Sequence, residues 1–197
     1  MSEEKEVFFM TANNKKNSAV MTNVKLFGNI RVMVISALFI AMSIVLGKML
    51  AVNVGSSIRI SFENLPILMA GIFFGPLVGA AVGAGADIIG CLIVGYSINP
   101  VITLGAASVG LFAGLAAGAF RKKHTFSHTL SSVMSGHAIG SMLIKSIGMF
   151  IYFHTPIQVL VLRVPLYVGI GLFETYIITL LLKNRSFSAQ LERMCGK

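Results

Sequence analysis

Beyond about residue 30 the chain alternates long apolar runs with short polar connections. Six runs can be placed, at about 32–52, 62–74, 77–94, 99–120, 129–152 and 157–182. A membrane-crossing helix needs about 20 mostly apolar residues, and several runs reach that length. The pattern predicts an all-α membrane protein, a compact bundle of six transmembrane helices over residues 31–184. The second run is short and is joined to the third by "FFGP". Gly75-Pro76 breaks the helix there, because proline lacks an N–H and clashes with the preceding turn. Merging the two runs would leave five spans and place the "RKKH" loop outside.

Residues 1–30 are polar and mixed, and residues 185–197 form a short polar end. Neither a short apolar core nor a small-residue cleavage site is evident at the start, as a signal peptide would require. Both segments are read as cytoplasmic tails, the first one flexible.

Charge changes the picture next. Only 12% of residues are charged and 55% are hydrophobic, whereas soluble domains carry about a quarter charged residues. The formal charge of +9 is not the footprint of nucleic-acid binding, because of where it lies. Lys5, Lys15, Lys16, Lys25 and Arg31 precede the first run; Arg121, Lys122 and Lys123 sit between the fourth and fifth; Lys183, Arg185, Arg193 and Lys197 follow the last. Six spans bring all three clusters to one side, as the positive-inside rule asks. The expectation is a multi-pass protein of the cell membrane with both termini cytoplasmic.

The remaining charges are few and lie within or beside the runs, where they are costly and tend to mark function. Lys48, Arg59, Glu63, Asp87, Lys145 and Arg163 come from five segments and fall at one depth, toward the outside. Glu174 and His137 lie deeper. This clustering fits a pocket open outward better than a channel or proton relay. Four cations against two acids favour an anionic ligand. A structural ion pair, such as Asp87 with Lys145 or Arg163, is the alternative for each charge, and Lys48 and Lys145 are also able to snorkel. Among neutral groups, Asn64, Tyr96 and Asn99 join the set. Tyr96 suits stacking or interface anchoring, and Asn99 before Pro100 suits helix capping.

Small residues recur at helical spacing: Gly75, Gly79 and Gly83; Ala106, Gly110, Gly114 and Gly118; Ala37 and Ala41. Such stripes let helix backbones approach in lipid. The two cysteines suggest no disulfide or metal site, and the four histidines lack ligand spacing. No phosphate-cradling loop or catalytic constellation is present. The chain is not expected to be an enzyme or to hold a cofactor.

"SALFIAMSIVLGK", "RISFENLPILMAGIFFGPLVGAAVGAGADIIG" and the later "RVP" resemble the substrate-binding S-components of energy-coupling factor (ECF) transporters, most closely their folate-specific branch. The resemblance implies capture of a vitamin outside and docking on a shared coupling protein with two ATPases, which alone use ATP. It implies contact with the coupling protein at Ala37 and Ala41, which match the family's A-x-x-x-A motif. Folate as the ligand gives the polar groups roles. A pterin offers a 2-amino group beside a ring N–H, a donor pair that a carboxylate can accept as it does from arginine. Asp87 is the first candidate and Glu63 the second. The dianionic glutamate tail suits Arg59, Arg163 or a lysine, and Phe62 or Tyr96 suits stacking on the pterin. An S-component for another vitamin, a stand-alone facilitator and a structural membrane protein remain the alternatives.

Overall fold

A computed structural model describes residues 29–54, 58–119, 126–184 and 189, with backbone alone at 52–54, 58 and 59. The basic mid-chain loop and most of both tails lie outside the described residues.

Among the described residues six helices form the bundle: α1 (Ile30–Met49), α2 (Asn64–Phe74), α3 (Pro76–Val94), α4 (Pro100–Ala119), α5 (Phe126–Phe153) and α6 (Ile157–Lys183). Asn29 caps α1, its side chain accepting from the Arg31 N–H at 3.1 Å. Two helices contain π-helical stretches, Val45–Met49 at the end of α1 and His137–Ile144 within α5. Such wide turns are rare and tend to occur at functional sites. Here one contains Lys48 and the other runs from His137 to the residue before Lys145. Nothing in the hydrophobic pattern announces either.

The connection after α1 departs from a plain loop. β1 (Val52–Val54) and β2 (Ile58–Ile60) pair antiparallel, with Val52 opposite Ile60 and Asn53 opposite Arg59. The chain then folds inward, and the Ser43 hydroxyl donates to the Glu63 carbonyl at 2.6 Å. α2 therefore starts beside the last turns of α1 rather than at its tip. With 11 residues it is about 16 Å long, short of the roughly 30 Å hydrocarbon core. Five helices are long and apolar enough to cross a membrane, and the second segment is a shorter, buried apolar helix. It is apolar all round, as a helix enclosed by others must be. Ile67, Leu68, Ala70 and Phe74 join Val78, Val82, Val109, Ala113, Val133 and Ile178 in one core.

α2 and α3 are separate, reversed helices. Gly75 has φ 101°, open to glycine and strained for other residues, and Pro76 starts α3. Gly75 is thus a turn residue and not part of a packing stripe. A Cβ on Gly79 would lie 2.5 Å from the Gly71 Cα and 2.7 Å from the Gly110 oxygen. α2, α3 and α4 meet backbone to backbone at this point. Gly83 and Ala106 continue the contact one turn up, and Gly114 continues it toward Pro76. Gly118 faces open space and plays no part in it. Outside the bundle, Leu38, Leu92, Leu104, Leu143, Phe150 and Val161 are exposed, a surface suited to lipid.

Candidate functional site

A cavity of about 460 Å³ opens among the ends of α1, α3, α4, α5 and α6, within the range of small-molecule sites. Lys48, Glu63, Asp87, Lys145 and Arg163 all line it. Five charges from five helices or their starts therefore converge, although they are distant in sequence. Beneath it a recess of about 20 Å³ is shared by Lys48, Glu63, Asp87 and Lys145 with Ser43 and Gly47.

Glycines on neighbouring helices make room for these side chains. A Cβ on Gly105 of α4 would meet Lys145 Cγ at 2.6 Å, and one on Gly90 of α3 would meet Lys48 Cε at 3.3 Å. A Cβ on Gly47 would meet Glu63 Oε2 at 2.8 Å. Each long charged chain thus lies along a helix that has no side chain at the point of contact.

The pairing differs from the ion pair considered for Asp87. Lys145 Nζ donates to Glu63 Oε1 at 3.1 Å, and the lysine side chain is 8% exposed. Asp87 makes no ion pair among the described residues. It accepts instead from Thr103 Oγ1 at 2.6 Å, one turn into α4. A carboxylate has about four acceptor sites, so one threonine bond leaves capacity facing the cavity. Lys48 Nζ sits 5.5 Å from the Tyr96 ring centre, and Tyr96 is exposed at the mouth. Arg163 donates to the Tyr167 hydroxyl at 3.1 Å and contacts Met149 Sδ. Its guanidinium lies 5.3 Å from the Tyr167 ring centre.

Other expected site residues fall elsewhere. Phe62 is not in the cavity wall; its ring packs on Phe173 of α6 at 5.3 Å. Asn64 is 1% exposed and donates to Ser141 Oγ at 3.3 Å, below the cavity. Asn99 reaches the wall, and its side chain also caps α4 by accepting from the Val101 N–H at 3.0 Å. The Arg59 side chain lies outside the described residues. Ala37 and Ala41 are both exposed on α1. Thr103, Met149, Phe153, Tyr167 and Cys91 belong to the site's surroundings and were not singled out from sequence. Two of them carry a signal in hindsight: Cys91 follows Asp87 by one helical turn, and Tyr167 follows Arg163 by the same interval.

The Lys145–Glu63 pair makes a prediction. Lys145→Met removes the ammonium from a half-buried carboxylate and lowers the melting temperature in detergent. Adding Glu63→Gln recovers part of that loss, because the charge that faced the ammonium is then gone as well. A double variant no more stable than Lys145→Met alone would show that the pair is not the cause.

This architecture has relatives. The chain is 32% identical over 90 residues to the folate transporter FolT of Clostridium novyi (strain NT), a match covering 42% of this chain and 51% of the relative. It therefore spans about half the length of the curated relative it matches. Among solved structures, one described as FolT bound with folic acid superposes with a TM-score of 0.62 at 21% identity, covering 79% of this chain and 94% of the other. The S-component for biotin from an ECF-type ABC transporter superposes with a TM-score of 0.60 at 18% identity, covering 81% and 95%. Residues 31–184 match the family described as ECF transporter, substrate-specific component, and the chain belongs to that family.

Proposed function

We propose that this chain is the membrane-embedded capture subunit of an ECF-type transporter, and that it takes folate from the outside and delivers it inward. The observation that carries the reading is the cavity: Asp87, without an ion pair among the described residues, lines a ligand-sized space together with Lys48, Lys145 and Arg163. A pterin donor edge suits Asp87, and the dianionic tail suits Lys48 and Arg163, with Arg59 as a further candidate. Glu63 is engaged by Lys145, which makes it the weaker candidate for the pterin. Tyr96 at the mouth offers a ring for stacking.

Transport in this reading needs partners. A transmembrane coupling protein docks on the exposed face of α1 at Ala37 and Ala41, where small side chains permit close approach. Two ATPase subunits supply the energy, so this chain itself uses no cofactor and catalyses no reaction. Both termini then lie in the cytoplasm: α2 and α3 reverse at Gly75, so six segments return the chain to its starting side.

A second reading is capture of a different vitamin, favoured by the near-equal fold similarity of the biotin S-component. Calorimetric titration of the purified chain separates the two. Folate is expected to bind tightly and one-to-one, without ATP or partners, and biotin, riboflavin and thiamine are not expected to compete. Binding of one of those vitamins and not of folate would overturn the folate assignment.

A further inference from the structure

Below the cavity lies a polar group that ligand contact does not explain. His137 of α5 and Glu174 of α6 are both 0% exposed, with Nε2 and Oε2 2.6 Å apart. Ser141 Oγ is 3.4 Å from the other imidazole nitrogen and accepts from Asn64 of α2. Gly171 makes room for the ring, since a Cβ there would meet His137 Cδ2 at 3.3 Å. Burying an acid and an imidazole in a membrane bundle is costly, and apolar side chains would hold these helices together at less cost. The second Glu174 oxygen, Oε1, has no hydrogen-bond partner.

The group is connected to the cavity. The Tyr167 ring packs on the His137 ring with centres 5.4 Å apart. On its other side Tyr167 accepts from Arg163 and lines the cavity with it. A continuous set of contacts thus runs from Glu174 through His137 and Tyr167 to a cation facing the ligand. We propose that His137 and Glu174 are positioning residues: they seat Tyr167 and Arg163, and uptake of one proton by the pair tightens the grip on an anionic ligand. The inference rests on the reading of the cavity as the folate site.

The sign follows from charge. When the imidazole is neutral and Glu174 is ionised, the pair holds one negative charge behind Arg163. One added proton removes it, and an anion in the cavity is then held more tightly. The groups facing the pair are Ser141 on α5, Asn64 on α2 and the Tyr167 phenol on α6. Glu63 and Lys145 are the further charges acting on Glu174, and they are paired with one another. α4 faces this level of α5 with Gly105, Val109 and Ala113 and brings no titratable group.

The test is folate titration of the full chain at about pH 5.5 and about pH 8, with ligand-free thermal unfolding at the same two values. The unsubstituted chain is expected to bind about fivefold more tightly at the lower pH. Glu174→Gln, which keeps the shape and one acceptor, is expected to bind one-to-one with no pH response. His137→Gln, which keeps a donor at the Nε2 position, is expected to retain binding and lose the response too; it serves should Glu174→Gln fail to fold. An unchanged pH response in either folded variant overturns the proposal, as does a pH-independent affinity in the unsubstituted chain. Absence of folate binding at both pH values would count against the folate reading instead. The unfolding series then decides: a pH response lost in both variants supports the pair as the proton site, and one kept in them overturns it.

Discussion

Asp87→Asn is expected to lower folate affinity by about two orders of magnitude while leaving the protein folded. Hydrogen bonds to a charged group contribute about 1.5–3 kcal/mol each. A carboxylate accepting two donors from a pterin edge loses one of them outright on conversion to an amide, because Asn presents an NH2 group where an acceptor stood. The remaining bond is to a neutral acceptor and is weaker. A combined loss of about 3 kcal/mol corresponds to about a hundredfold in Kd. The fold is retained because Thr103 Oγ1, 2.6 Å from Asp87 Oδ2, still finds the amide oxygen. Titration of folate into purified Asp87→Asn, with a melting curve as control, reads both quantities. An affinity equal to that of the unsubstituted chain would remove Asp87 from the ligand's contacts.

The largest effect on stability is expected at Gly110. An added Cβ there would land on the Gly79 carbonyl and 2.8 Å from the Gly79 Cα. Overpacking against side chains costs about 1–3 kcal/mol; here the obstruction is backbone, which cannot change rotamer. Gly110→Ala should therefore cost about 3 kcal/mol or more, or roughly 10 °C in melting temperature for a chain of this size. Gly118→Ala is the matched control on the same helix, since a Cβ there meets nothing within 4 Å. The control is expected to melt with the unsubstituted protein. Equal melting of all three would mean that α3 and α4 do not touch at Gly79 and Gly110.

Much of the site was legible from the linear pattern. Charges are so costly in an apolar run that their positions alone mark a shared depth, and Lys48, Glu63, Asp87, Lys145 and Arg163 do meet at one cavity. The break at Gly75-Pro76 was equally legible, because proline and a positive φ leave a helix few options. The shortness of α2 was legible too, since its run at about 62–74 is close to the helix Asn64–Phe74. The hairpin of β1 and β2 ahead of it was not.

What remained hidden has a common physical origin. A depth along the membrane normal can be counted in residues, but the direction of a side chain around a helix depends on neighbours. Phe62 is adjacent in sequence to Glu63, yet it packs on Phe173 and not on the cavity. Lys145 faced a choice of acids and met Glu63, because Gly105 clears the path for its stem. The π-helical turns before Lys145 and around Lys48 shift the phase of those helices without any change in apolar periodicity. His137 and Glu174, 37 residues apart, read as two isolated polar groups at a similar depth. Membership of the membrane, the number of helices and the level of the charged ring follow from hydrophobicity and cost of burial, which are local. Which acid meets which base follows from helix rotation and close packing, and those exist only once the bundle has formed.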